Sequence, residues 1–228
     1  MRRSTVDYVH RGDLIRRRER NRRWALGLGF LAALFGFTQL RQRDASASAP
    51  PSFGSAGEKE RLRNALDSAT GELNLAKAEL ERASRIIHYS TRFRVGAHIV
   101  ADIYDIALAE GIEPELAFRL VKTESEFQER AVSPVGAVGL TQLMLPTAQY
   151  FQKGVTRTQL YDRKTNLRIG FRYLRTLIRE RDGDLKLALL TYNRGPVAVN
   201  AARRAGLDPA NGYERMVMTG YSGTGVVD

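Results

Sequence analysis

Apolar positions change rhythm along the 228-residue chain, and each rhythm predicts a different element. Trp24 to Leu40, WALGLGFLAALFGFTQL, is apolar on every side and carries no charge. As a helix it would be about 26 Å long at ~1.5 Å per residue, close to the ~30 Å of a bilayer core. The reading is a transmembrane anchor over 24–40. From Leu62 the pattern turns periodic. Leu62, Leu66, Ala69, Leu73, Ala76, Leu80, Ala83 and Ile87 alternate spacings of four and three, an a/d heptad seam that predicts an amphipathic helix over 58–90. Gly71 interrupts it. Such a seam serves a short coiled coil or a helix packed on the downstream domain, and the pattern leaves both open. Between anchor and helix, 41–57 reads as a linker, rich in Ala, Ser, Pro and Gly from residue 44.

From residue 97 to 215 the rhythm is that of successive amphipathic helices. Ile99, Ile103 and Ile106 share one face and Gly111 supplies the stop. Pro114 suits the first turn of a helix predicted over 114–128. A loop rich in Gly and Pro follows over 129–146. Leu167, Phe171, Leu174 and Ile178 mark a long helix after Asp162, and Leu185, Ala188, Leu189 and Tyr192 another, ended by Gly195-Pro196. With no long alternating pattern, the fold class is mainly α. Residues 216–228 read as a flexible tail.

Charge changes the picture at one end only. The net charge is +11, but residues 1–43 hold eleven Arg against Asp7, Asp13 and Glu19. The basic character is a property of the N-terminal arm, 1–23, and not of a folded face, so no nucleic-acid partner is expected. Nine Arg before Trp24 and two after Leu40 orient the anchor with its N-terminus in the cytoplasm and the rest outside. The rival is a cleaved signal peptide and a soluble periplasmic protein, since Ala45-Ser46-Ala47 resembles a cleavage site; the long basic arm and the intervening Arg41 and Arg43 weigh against it. The absence of cysteine excludes disulfides and a Cys nucleophile. With only His10, His88 and His98, no metal site and no cofactor are expected.

One carboxylate stands out. On the helix from Pro114, residues Leu116, Ala117, Leu120, Val121 and Phe127 form an apolar stripe, and Glu124 lies on it. Glu126 is rotated roughly 200° away. Glu124 is thus aimed into the domain beside a glycine-rich loop. Burial raises a carboxyl pKa, and a carboxyl protonated at neutral pH is what a general acid for glycosidic cleavage requires.

Glu124-Ser125-Glu126-Phe127 continues to Ala131, Ser133, Gly136-Ala137-Val138-Gly139-Leu140-Thr141-Gln142-Leu143-Met144 and Thr147-Ala148. This resembles the soluble lytic transglycosylase (SLT) family, whose signature reads ES-x-F-x-x-x-A-x-S-x-x-G-A-x-G-L-x-Q-(L/I)-M-P-x-T-A. Asn166-Leu167-x-x-Gly170 with Tyr173-Leu174 resembles its second motif, and Tyr192-Asn193-Arg194-Gly195 its third, Y-N-x-G. The departures are Pro146, one place late, Thr191 where Ala is usual, and a closing ET-x-x-Y segment poorly matched by Asn211-Gly212-Tyr213-Glu214.

The resemblance implies a lysozyme-like fold of the α+β superfamily and cleavage of the (1→4) bond between N-acetylmuramic acid and N-acetylglucosamine. It implies Glu124 as acid and then base, closing a 1,6-anhydro ring, with Tyr192 beside it. Ser125, Ser133, Gln142, Met144, Thr147 and Asn193 would line the sugar subsites. The expected partners are peptidoglycan glycan strands and the cytoplasmic membrane, with self-association or an envelope-complex partner through 58–90. A hydrolytic muramidase on the same fold, or a membrane-anchored glycan-binding assembly protein without catalysis, are the alternatives.

Overall fold

The computed structural model describes residues 56–227; the arm 1–23, the apolar run 24–40 and the linker up to residue 55 lie outside the described residues. Among the described residues, no helix is long and apolar enough to cross a membrane. Within the described residues, those from Ser68 onward form a compact unit of their own, the second of two in the chain. The helices are α1 (Ala56–Phe93), α2 (Ala97–Ala109), α3 (Pro114–Ser125), α4 (Leu145–Phe151), α5 (Arg163–Glu180), α6 (Leu185–Arg194), α7 (Pro196–Arg204) and α8 (Tyr213–Met218), with a 3₁₀ turn at Thr158–Tyr161. Strand-like pairing among the described residues is confined to isolated bridges such as Val132 with Val138 and Val138 with Leu143.

The apolar stripes meet as expected. Val100, Ile103 and Ala107 of α2, Leu116, Phe118 and Leu120 of α3, Leu167, Phe171 and Leu174 of α5, Ala188 and Leu189 of α6, and Val217 of α8 share one core. Each is almost fully removed from water, and a buried side chain of this size stabilises the fold by about 1.5–3 kcal/mol. A smaller cluster, Val138, Leu143, Ala148, Val155, Leu160 and Ile169, roots the loop after α3 on α4 and α5. The caps follow the sequence. Pro114 opens α3. Asp162 and Asp184 accept the backbone N–H of Thr165 and Leu187 at the starts of α5 and α6, satisfying donors that a helix cannot pair internally.

Two details differ from the sequence expectations, and a third settles part of what the pattern left open. Helix α3 stops at Ser125, not 128, because Glu126 and Phe127 both turn left-handed, with φ of 51° and 64°. Two consecutive non-glycine residues in that region are uncommon and require support from their surroundings. The segment 216–227 is not a free tail. The Glu113 carboxylate accepts from the Tyr221 and Thr224 hydroxyls and from the backbone N–H of Thr224 and Gly225, and Val227 N–H donates to Gly111 O. Those bonds hold the Glu113 carboxyl below its ordinary pKa, although burial pushes the other way. Finally, the last turns of α1, themselves part of the second unit, pack into its core through Ile86, Tyr89 and Phe93, with Tyr89 stacked 4.2 Å from Phe118. The heptad positions of α1 do not: Leu73, Leu80 and Ile87 are exposed.

Candidate active site

The two carboxylates near the end of α3 part company, as their spacing along a helix predicts, with Glu126 in the left-handed turn after it. Glu126 is exposed, whereas Glu124, in the last turn of α3, faces inward. Burial pushes the Glu124 carboxyl up to about 7. One interaction opposes this: the Tyr213 hydroxyl, from the first turn of α8, donates to Glu124 Oε1 and favours the ionised form. Burial wins because a carboxylate removed from water loses more solvation than a single neutral donor restores. The result is a carboxyl poised to hold or release a proton near neutrality.

Tyr213 is a site residue that the sequence reading passed over. It sits at the tyrosine place of the ET-x-x-Y segment, whose leading Glu and Thr are here Pro209 and Ala210. Its approach is built by neighbours. Asn211 Oδ1 accepts from Tyr213 N–H at 3.2 Å, while Asn211 Nδ2 donates to Asn193 Oδ1 at 2.9 Å. Arg194 Nη1 donates to Pro209 O at 2.5 Å. The segment before α8 is thus fastened to the end of α6, which sets Tyr213 against α3.

Tyr192 is close enough to Glu124 for the carboxylate's charge to help raise its hydroxyl pKa, burial being the larger cause. Its hydroxyl donates not to Glu124 but to Thr141 O, at 2.8 Å. Thr141 joins the motifs. Its N–H and hydroxyl both donate to Asn166 Oδ1, at 2.9 and 2.7 Å, and Asn166 Nδ2 donates to Val138 O and Leu160 O. Two motif glycines allow this closeness. A Cβ at Gly139 (φ +79°) would lie 2.3 Å from Asn166 Nδ2, and one at Gly170 would lie 2.3 Å from the Thr141 hydroxyl.

Gln142, Met144, Thr147, Tyr192 and Asn193 line one pocket of about 230 Å³, closed by Tyr173 and Pro196. Gln142 is held there in a left-handed turn (φ 47°) by donating its amide to Gly139 O. Thr123, Glu126 and Phe127 line a separate, wider cleft with Lys122 and Met216, and Glu124 itself lines neither this cleft nor the pocket. Ser133 lies apart from the pocket, in the turn it stabilises by accepting from Ala137 N–H. Ser125 is also apart. It is 6% exposed and its hydroxyl is placed against Val121 O and Leu140 O, which makes it the joint between α3 and the loop and leaves no face for a sugar. Among the described residues, no three His, Asp or Glu side chains converge as a metal site would require.

Residues 103–210 match the family model of the transglycosylase SLT domain. The chain carries a transglycosylase SLT domain. A transglycosylase of Enterobacteria phage PRD1 is 39% identical over 89 residues, which cover 39% of this chain and 32% of the phage protein. This chain therefore spans about a third of that relative's length. Among solved structures, an inactive mutant of the lytic transglycosylase Slt of Pseudomonas aeruginosa is similar at 26% identity and a TM-score of 0.44, covering 51% of this chain and 22% of that one. The 70 kDa soluble lytic transglycosylase of Escherichia coli is similar at 21% identity and a TM-score of 0.46, covering 75% and 36%.

The SLT domain's loop-to-α6 bond gives a direct expectation. Tyr192→Phe keeps the ring and strands the Thr141 carbonyl, so it is expected to cost about 1 kcal/mol of stability, the worth of one neutral hydrogen bond. Turnover should fall less than on loss of Glu124. Chemical denaturation alongside peptidoglycan turnover checks both, and an unchanged midpoint would mean that the bond carries no weight.

Proposed function

We propose that the SLT domain is a peptidoglycan lytic transglycosylase in which Glu124 serves as acid and then as base. The observation that carries this reading is the single inward carboxyl of α3, pushed up to about 7 by burial and bonded by Tyr213. At neutral pH a large fraction of such a group is protonated, as a general acid must be. Glu124 would give its proton to the glycosidic oxygen as the bond from C1 of N-acetylmuramic acid breaks. The carboxylate so formed, stabilised by the Tyr213 hydroxyl, would take the proton of the C6 hydroxyl. That oxygen attacks C1 and closes the 1,6-anhydro ring. The pocket lined by Gln142, Met144, Thr147 and Asn193, which shares Tyr192 with the surroundings of Glu124, would seat part of the strand. The fold implied by this reading is lysozyme-like.

We further propose that the apolar run 24–40 anchors the protein in the cytoplasmic membrane with the SLT domain outside, where polymerised glycan lies. The asymmetry of nine Arg before the run and two after it supports this orientation.

The test is the product. Digestion of purified sacculi followed by mass spectrometry should give muropeptides lighter by one water than the hydrolytic products and lacking a reducing end. Fully hydrated products would make the protein a muramidase; no release at all would favour a glycan-binding assembly protein.

A further inference from the structure

We propose that two copies of this chain pair in parallel through the heptad seam of α1. The seam is real and uncovered. Leu73, Leu80 and Ile87 stand at a positions, in line along one face of α1, and are 53%, 72% and 67% exposed. The d positions between them are Ala76 and Ala83, small enough for two helices to approach closely. Gly71 falls at an outer f position in this register, so it weakens the helix without notching the seam.

The unit's own core does not compete for that face. It grips α1 only from Arg82 onward, through the Arg82–Asp105 ion pair and through Ile86, Tyr89 and Phe93, which stand at c and g positions outside the a and d seam. Among the described residues, the a and d positions from Ala69 to Ile87 are all exposed.

Charge selects the partner and its direction. Glu72 is at g and Lys77 at the following e, and both are exposed. In a parallel, in-register pair each Glu72 meets Lys77 of the second copy, and the twofold symmetry makes the contact twice. In an antiparallel pair the g positions face one another, and Glu72 and Glu79 repel. With alanine at d the interface is small and the pairing weak, suited to molecules held at high local concentration.

The absence of cysteine makes the test direct. Leu80→Cys and Ala78→Cys, the latter at an outer f position, are introduced separately into the full chain in membranes, followed by mild oxidation. Leu80→Cys should give disulfide-linked dimers about five-fold above Ala78→Cys, since only a facing a pair comes within bonding reach. Adding Lys77→Glu should lower that yield several-fold, and adding Glu72→Lys as well should restore it. Equal yields at the two positions, or a Leu80→Cys yield indifferent to both charge changes, would overturn the proposal. Cross-links formed only to other proteins would also overturn it.

Discussion

Glu124→Gln is expected to lower peptidoglycan cleavage by more than about a thousand-fold, the upper range of what one positioned acid/base contributes. The amide keeps the shape and can still accept from Tyr213, so the fold should survive. Stability should in fact move in the variant's favour as pH rises. A carboxyl raised from 4.5 to about 7 binds its proton more tightly in the folded chain than in the unfolded one. That contribution is fully present below the unfolded pKa and is lost as pH rises through about 7, where the wild type must hold a buried charge and the Gln variant need not. Thermal melts at pH 5 and pH 8 should therefore show the variant gaining on the wild type. The wild-type rate should decline above an apparent pKa near 7, and Tyr213→Phe, which removes the bond favouring the anion, should move that decline to higher pH. A Gln variant with more than a few per cent of wild-type turnover would remove Glu124 from the mechanism. Glu126→Gln, at the exposed left-handed position, should keep its activity.

How far this site was legible in the sequence depends on the range of the interaction. Periodicity reports which face of a helix is buried, so the inward aim of Glu124 followed from its place among Leu120, Val121 and Phe127. Motif spacing likewise gathered Gln142, Met144, Thr147, Tyr192 and Asn193, which line one pocket. Tyr213 was illegible for a physical reason. It approaches Glu124 across 89 residues of sequence from a helix of only six, too short for a periodic signal, and the segment around it has lost its leading Glu and Thr. Ser125 shows the opposite error. A residue in a motif need not touch substrate, and the single O–H of this one is directed at the buried carbonyls of Leu140 and Val121, which share it as acceptors. The stop at Glu126 was hidden too, since left-handed turns are foreseen at glycine and here occur without it. The tail misled because Tyr221-Ser222-Gly223-Thr224-Gly225 has the composition of a free loop, yet a single carboxylate, Glu113, collects its donors.

The largest expected loss of stability is at Asn166. The side chain is 1% exposed, and both its oxygen and its nitrogen are fully used: the oxygen accepts from Thr141 N–H and hydroxyl, and the nitrogen donates to Val138 O and Leu160 O. Asn166→Ala leaves one buried N–H and two buried carbonyls without these partners. Each such group costs about 1–3 kcal/mol, so a total loss of roughly 4 kcal/mol is expected, a value reached only when a buried polar network is broken. Thr141→Val removes a single donor from the same network and should cost about 1 kcal/mol. Asn166→Asp separates bonding from packing, because it fills the same space yet turns an acceptor oxygen toward Val138 O and Leu160 O; it should be nearly as harmful as Ala. Because Thr141 O is also the acceptor for Tyr192, the two Asn166 variants should lose turnover even at temperatures where they remain folded. Denaturant unfolding of the four proteins decides the matter: an Asp variant as stable as the wild type, or an Ala variant within about 1 kcal/mol of it, would mean that the motif loop is held by the packing of Val138 and Leu160 and not by this asparagine.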